Sequence, residues 1–245
     1  MKSPARTGPY EPGYFIAQSL LMPWLSRGFR YQLEGIERIP KSGPAIVAVN
    51  HISLFDPLAV AWAIHTNGRR PRFFGKSSLF KAPVVGWILS SARQIRVDRG
   101  SAQALDSLEH AEAAVENGEV IIIFPEGTTT IDPDLKMRAP KTGVARLAFS
   151  SGLPVIPCAT WGGQWIWSYF VGFKPGWGKK VWLRFGAPIT FEKFRGREKD
   201  PAAWEEATAL VMDEISTLLE VPRAEMPWTS HDLTKRAGRK KGVRP

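Results

Sequence analysis

Cysteine is almost missing from this sequence. Cys158 stands alone, which excludes an internal disulfide framework and a thiolate metal cluster and fits a reducing compartment. A secretory leader is also missing. Met1 to Pro12 is polar and carries Pro4, Pro9 and Pro12, where a leader needs a basic stretch and then an apolar core. Uninterrupted apolar runs are scarce. Tyr14 to Leu25 is short for a bilayer span and Pro23 falls inside it. Ala45 to Ile64 is long enough, but it contains Asn50, His51, Asp56 and Pro57, and an ionised Asp is costly in lipid. A core strand, a polar loop and a helix explain that stretch better. There are no internal repeats. The Gly-x-Ser-x-Gly elbow of serine hydrolases and the phosphate-binding P-loop are absent too, which disfavours a serine hydrolase or a nucleotide-dependent kinase.

What the sequence has is apolar content and positive charge. Hydrophobic residues make up 44% of 245, ordinary for a packed core, and the length suits one large α/β domain or two small ones. The net charge is +10. From Pro222 to Pro245 the chain carries Arg223, Lys235, Arg236, Arg239, Lys240, Lys241 and Arg244 against Glu225 and Asp232, so half of the excess lies in this tail. Such tails are usually solvated. The functional reading is attraction to anionic lipid headgroups. Nucleic acid would attract the same charge, but nothing else in the chain resembles a nucleic-acid motif, and no metal site is evident.

Periodicity predicts an α/β fold: a largely parallel sheet covered by helices, with an N-terminal amphipathic helical motif over residues 1–30, one domain over 31–221 and a basic, flexible tail over 222–245. Tyr14 to Arg30 reads as an amphipathic helix broken at Pro23. Tyr31 to Glu34, Ala45 to Val49, Arg72 to Gly75, Gln94 to Val97, Val120 to Phe124 and Pro154 to Thr160 read as strands. Lys180 to Phe185 alternates as an edge strand does. Ser101 to Glu116, Gly143 to Ser151 and Ala202 to Val221 read as helices. A further helix follows Asp56, with that residue as its cap and Pro57 in its first turn.

Two loops carry candidate chemistry. Asn50-His-Ile-Ser-Leu-Phe-Asp56 follows a buried strand and opens a helix. In open α/β sheets, reactive groups gather beyond the carboxyl ends of strands. A carboxylate at Asp56 can hold one ring nitrogen of His51 protonated and leave the other free to accept a proton. On spacing alone, a core His and a helix cap are the commoner explanation. The second loop, Phe124-Pro-Glu-Gly-Thr-Thr-Thr130, also follows a buried strand and offers a carboxylate, a glycine and three hydroxyls.

Together these segments resemble the motifs of PlsC-type glycerolipid acyltransferases, the family of 1-acyl-sn-glycerol-3-phosphate acyltransferases. His51 to Asp56 is similar to the first motif, Asn-His-x4-Asp. Gly75 to Phe80, Pro83-x2-Gly86 and Val97-Asp98-Arg99 resemble the second. Phe124 to Thr128 resembles the third, Phe-Pro-Glu-Gly-Thr, and Val155-Ile-Pro157 the fourth. The order and spacing agree from about Tyr31 to Ile189. The resemblance implies acyl transfer without a covalent intermediate. It further implies that His51 is the general base, that Asp56 orients it, and that Glu126, Gly127 and Thr128 place the acceptor. Pro157 and Phe80 are expected near the acyl donor, which is acyl-CoA or acyl carrier protein, with no cofactor. The third motif commonly continues Arg-Ser, and here Thr129 and Thr130 stand instead. A Thr offers no guanidinium fork for phosphate. Phosphate binding then falls to Arg99, Lys141, Lys76 and Arg138. The lysophospholipid acceptor that the resemblance implies is lysophosphatidic acid, giving phosphatidic acid; the alternatives are the same chemistry on glycerol 3-phosphate or another lysophospholipid, and a non-catalytic lipid-binding membrane module. The expected location is the cytoplasmic face of the cell membrane, held peripherally or monotopically on its anionic surface.

Ten tryptophans are present, four of them between Trp161 and Trp177 in a run rich in glycine and other aromatics. Such a run suits a membrane interface, an acyl tunnel, or a core filled from beneath a long loop.

Overall fold

Each central strand is apolar on both faces, and that fixes three layers. The computed structural model describes residues 11–97 and 103–229. In chain order the elements are α1 (Pro12–Gly28), β1 (Phe29–Glu34), β2 (Ala45–Val49), α2 (Asp56–Thr66), β3 (Pro71–Lys76), α3 (Ser77–Phe80), α4 (Pro83–Ser91), β4 (Ile95–Val97) and α5 (Gln103–Glu116), then β5 (Val120–Ile123), α6 (Gly143–Ser151), β6 (Val155–Trp161), β7 (Trp167–Ser168), β8 (Gly172–Phe173), β9 (Lys179–Phe185) and α7 (Pro201–Glu225). Side chains alternate across a strand. Ile46, Ala48, Ile121 and Ile123 therefore meet α5, α6 and α7 through Ala111, Val144, Leu147, Val211 and Ile215. Ala45, Val47, Val49, Val120 and Ile122 meet α1 and α2 through Leu25, Ala59, Val60 and Ile64.

The sheet has seven strands in the order β1-β9-β6-β2-β5-β3-β4. The five strands from β6 to β4 run parallel. β9 is antiparallel to β6, and β1 pairs parallel with β9. The largely parallel α/β fold read from the sequence is the fold observed. β2 and β5 are neighbours at the centre, with Ala48 opposite Ile123. The crossover from β2 leads to β3 on one side, and that from β5 leads to β6 on the other. Both chains thus leave the sheet at a switch point, at the end where ligands bind in such folds.

Four local expectations change. β9 is internal, with β1 as the edge, because Val181, Trp182 and Leu183 are all buried between neighbours. α1 runs unbroken through Pro23. Proline removes one bond to the carbonyl four residues back, and that carbonyl belongs to exposed Ser19. Asp56 does not cap α2, since its carboxylate turns back onto the preceding loop. α7 continues through Pro222 to Glu225, and Trp228 donates to the Pro133 carbonyl at 2.8 Å. The start of the basic tail is therefore folded, while its Lys235, Arg236, Arg239, Lys240, Lys241 and Arg244 lie outside the described residues.

One buried cation ties the N-terminal helix to the sheet. Arg72 on β3 is 2% exposed and uses all five of its N–H donors. Glu11 accepts two, Glu119 two and the Ala92 carbonyl one. Hydrogen bonds and charge from the two glutamates outweigh burial and push the guanidinium pKa up.

Candidate active site

The site begins where β2 runs out of partners. Val49 is the last residue in register with β6. Asn50 then continues the ladder with its side chain: Oδ1 accepts from the Thr160 N–H at 2.7 Å and Nδ2 donates to the Thr160 carbonyl at 3.1 Å. The side-chain amide substitutes for a peptide group and leaves the main chain free to turn.

That turn is built around Asp56, which is fully buried. Its Oδ2 accepts from the Ile52 N–H at 2.8 Å and the Ser53 N–H at 2.7 Å, and it lies 3.1 Å from His51 Nδ1. Its Oδ1 accepts from the Ser53 hydroxyl. With donors on both oxygens, the carboxylate has only an acceptor's role toward the ring, so Nδ1 carries the proton and Nε2 keeps a lone pair. Gly163 packs over this group. A Cβ there would fall 2.3 Å from the Ser53 hydroxyl and 3.0 Å from Asp56 Oδ1. The imidazole stacks on Phe124, with centroids 4.3 Å apart at 26°.

The second loop leaves β5 beside it. Gly127 adopts φ 69°, a conformation glycine takes at little cost, and its N–H closes the turn onto the Phe124 carbonyl at 2.9 Å. Glu126 is 3% exposed. Its Oε1 accepts from the His51 N–H at 2.7 Å and its Oε2 from the Arg138 N–H at 2.8 Å. Burial pushes its pKa up, against the lowering effect of these two amides. Thr130 N–H donates to the His51 carbonyl at 2.9 Å, and its hydroxyl to the Lys136 carbonyl at 2.8 Å. Thr129 places its hydroxyl 3.1 Å from His51 Nε2.

A cavity of about 300 Å³ opens at His51. Phe74, Val97, Leu108, Ile123, Phe124 and Val144 give it apolar walls, and Lys76, Lys141 and Arg146 line it as well. An imidazole facing a hollow lined by both apolar and cationic groups suits a molecule with a chain and a phosphate.

An acyltransferase family model matches residues 30–161, more than half of the chain and all of both loops. The chain belongs to the acyltransferase family. It is 31% identical over 161 residues to the 1-acyl-sn-glycerol-3-phosphate acyltransferase of Pseudomonas aeruginosa, covering 64% of this chain and 58% of that protein. It is 27% identical over 151 residues to the chloroplastic 1-acyl-sn-glycerol-3-phosphate acyltransferase BAT2 of Brassica napus, covering 61% and 42%. The match thus spans well under two thirds of either relative. The crystal structure of the 1-acyl-sn-glycerophosphate acyltransferase PlsC from Thermotoga maritima superposes with a TM-score of 0.63 at 26% identity, covering 85% of this chain and 76% of that one.

Within this chain the expected site residues separate. His51, Gly127, Lys76 and Lys141 line the cavity. Asp56 lies behind His51. Glu126 and Thr128 are not among the lining residues, and both oxygens of Glu126 bond backbone amides. Arg138 is exposed and reaches the site through its main chain. Arg99 lies outside the described residues. Phe80 and Pro157, expected at the donor, do not line the cavity. The Phe80 ring fills the space beside Gly75, where a Cβ would lie 2.9 Å from it. Pro157 sits inside β6 against Gly186. Their residue types serve close packing, which a motif does not distinguish from ligand contact. Reading the sequence missed Asn50's ladder, Ser53, Gly163, Arg146 and the contact of Thr129 with His51.

Proposed function

We propose that this acyltransferase transfers a fatty acyl group from acyl-CoA or acyl carrier protein to the free hydroxyl of lysophosphatidic acid, giving phosphatidic acid. The observation that carries this reading is the oriented pair Asp56–His51 facing a cavity with both apolar and cationic walls. His51 Nε2 takes the proton of the acceptor hydroxyl as that oxygen attacks the thioester carbonyl carbon. The carbon–sulfur bond then breaks, and the leaving thiolate receives the proton back from His51. Asp56 stabilises the imidazolium between these steps. Glu126 acts as a positioning residue, joining the two loops behind the base. Lys76, Lys141 and Arg146 hold phosphate, and the apolar wall takes the chain. Thr129, where the family commonly has Arg, favours a second acceptor class with the same chemistry: glycerol 3-phosphate or another lysophospholipid. A non-catalytic lipid-binding role has less support, because it gives no reason for a base held ready by a buried carboxylate.

The test offers the purified protein both donor types and a panel of lysolipids and glycerol 3-phosphate, with products identified by mass spectrometry. A positioned general base is worth about 10²–10⁴ in rate, so His51→Ala loses at least about a hundredfold while keeping its circular dichroism spectrum. A folded His51→Ala protein with near wild-type turnover would sink the mechanism.

The site works at a bilayer in this reading. Among the described residues no helix is long and apolar enough to cross a membrane. Ile16 and Leu20 on α1 and Val84, Val85 and Trp87 on α4 are exposed, and the two helices pack together. Exposed Trp177 rests beside Gly28, where α1 ends. These side chains form the docking face, on the cytoplasmic side. Deleting residues 1–30 is a poor probe of it. Loss of Glu11 leaves Arg72 buried with half its carboxylates, and breaking a buried pair costs about 3–5 kcal/mol. Leu20→Glu is the cleaner change: vesicle co-sedimentation falls while the melting temperature holds. Unchanged sedimentation of Leu20→Glu combined with Trp87→Glu would remove this face from consideration.

A further inference from the structure

The proton-accepting nitrogen of His51 is already occupied. Asp56 fixes the proton on Nδ1, so Nε2 is an acceptor, and the partner 3.1 Å away is the hydroxyl of Thr129. A hydroxyl facing a lone pair donates to it. The arrangement is held on every side. The adjacent Thr130 N–H binds the His51 carbonyl, and Glu126 holds the His51 N–H. Phe124 stacks on the ring, and Thr129 itself is 3% exposed. Two neighbouring hydroxyls are committed elsewhere, Ser53 to Asp56 and Thr130 to the Lys136 carbonyl.

An activated base beside a thioester has two possible substrates. An acceptor hydroxyl gives an ester and free thiol, and water gives a free fatty acid and free thiol. In both, oxygen bonds to the acyl carbon, the carbon–sulfur bond breaks, and the proton passes through Nε2 to the departing sulfur. We propose that Thr129 is a positioning residue that sets the balance between these outcomes. It occupies Nε2 in the resting site, so that water does not, and it yields that nitrogen to an acceptor hydroxyl by turning to another staggered rotamer. This proposal rests on His51 being the base. It gives the residue standing where the family commonly has Arg a role in transfer over hydrolysis rather than in phosphate binding.

The experiment measures thiol release from a long-chain acyl-CoA with and without lysophosphatidic acid, and counts ester and free fatty acid by mass spectrometry. Thr129→Ala removes the hydroxyl and opens space for water. Its hydrolysis-to-transfer ratio rises about tenfold, the equivalent of one neutral hydrogen bond. Thr129→Val keeps the volume without the hydroxyl and raises the ratio less. Thr129→Ser restores the hydroxyl and returns the ratio to near wild type, which a purely structural role for the side chain would not require. If alanine does not fold, valine and serine still decide. An unchanged ratio in folded Thr129→Ala and Thr129→Val overturns the proposal. Loss of both reactions in those variants, with an acyl adduct on the wild-type peptide containing Thr129, also overturns it, because the residue would then be a nucleophile. The parent reading fails separately: a folded His51→Ala that still transfers removes the base, whereas an inert His51→Ala with an unchanged Thr129 ratio removes only the present assignment.

Discussion

Two buried carboxylates bond His51, and they work over different distances. Asp56 takes its donors from Ile52, Ser53 and His51, all within five residues. Glu126 takes one from His51, 75 positions away, and one from Arg138. Asp56 belongs to a prefabricated loop that meets the ring itself. Glu126 meets only main chain and fastens one prefabricated loop to another. The first carboxylate is expected to matter for the chemical step, and the second for bringing the parts together.

Asp56→Asn gives the largest effect. An amide fills the same space but carries no charge to stabilise the imidazolium and can impose the wrong tautomer. The rate constant kcat falls about 10²–10⁴-fold with KM little changed. A variant that bound substrate poorly but turned over normally would erase the distinction between the two carboxylates. Glu126→Gln is milder in chemistry and more costly in stability. Glutamine has one acceptor oxygen for two amides, and an unpaired buried donor costs about 1–3 kcal/mol, read as a lower midpoint in urea. A loss in kcat equal to that of Asp56→Asn, without loss of stability, would break the comparison.

The same pair of proteins sharpens the comparison through pH. Burial raises the Glu126 pKa in the fold above its ordinary 4.5. The fold therefore prefers the neutral carboxyl. Its contribution to stability is complete below the unfolded value and is lost as pH rises through the raised one. Glutamine does not titrate, so the stability gap between wild type and Glu126→Gln narrows as pH rises above the ordinary carboxylate range. A gap that widened instead would mean that the two amides, not burial, dominate.

Distance along the chain also explains what was legible beforehand. His51 and Asp56 form one local unit, and the Pro-Glu-Gly turn needs its glycine whatever lies nearby, so both could be read as patterns. The α/β layering was equally plain, because the two strands at the sheet centre, β2 and β5, are apolar at every position. The partners of Glu126 and Thr129 were not legible, because tertiary pairing alone supplies them. Thr129 registered only as a departure from a family motif. Arg146 was hidden in an unremarkable amphipathic helix. The position of β9 failed for the same reason: alternation shows a strand, but not which strand lies beyond it. Phe80 and Pro157 each pack against a glycine in the fold, and a tight glycine contact and a ligand contact select the same shapes, so the motif alone does not separate the two.

The bond from the His51 N–H to Glu126 has a consequence for how the protein ages. An asparagine is lost by deamidation when the next residue's main-chain nitrogen attacks its side-chain carbonyl carbon and closes a succinimide ring. For Asn50 that nitrogen is His51's, and Glu126 already holds its hydrogen. The Asn50 amide is pinned in turn against Thr160. The carboxylate that assembles the site thus also shields it from slow covalent damage, and Glu126 variants should accumulate the one-dalton mass increase at position 50 during storage.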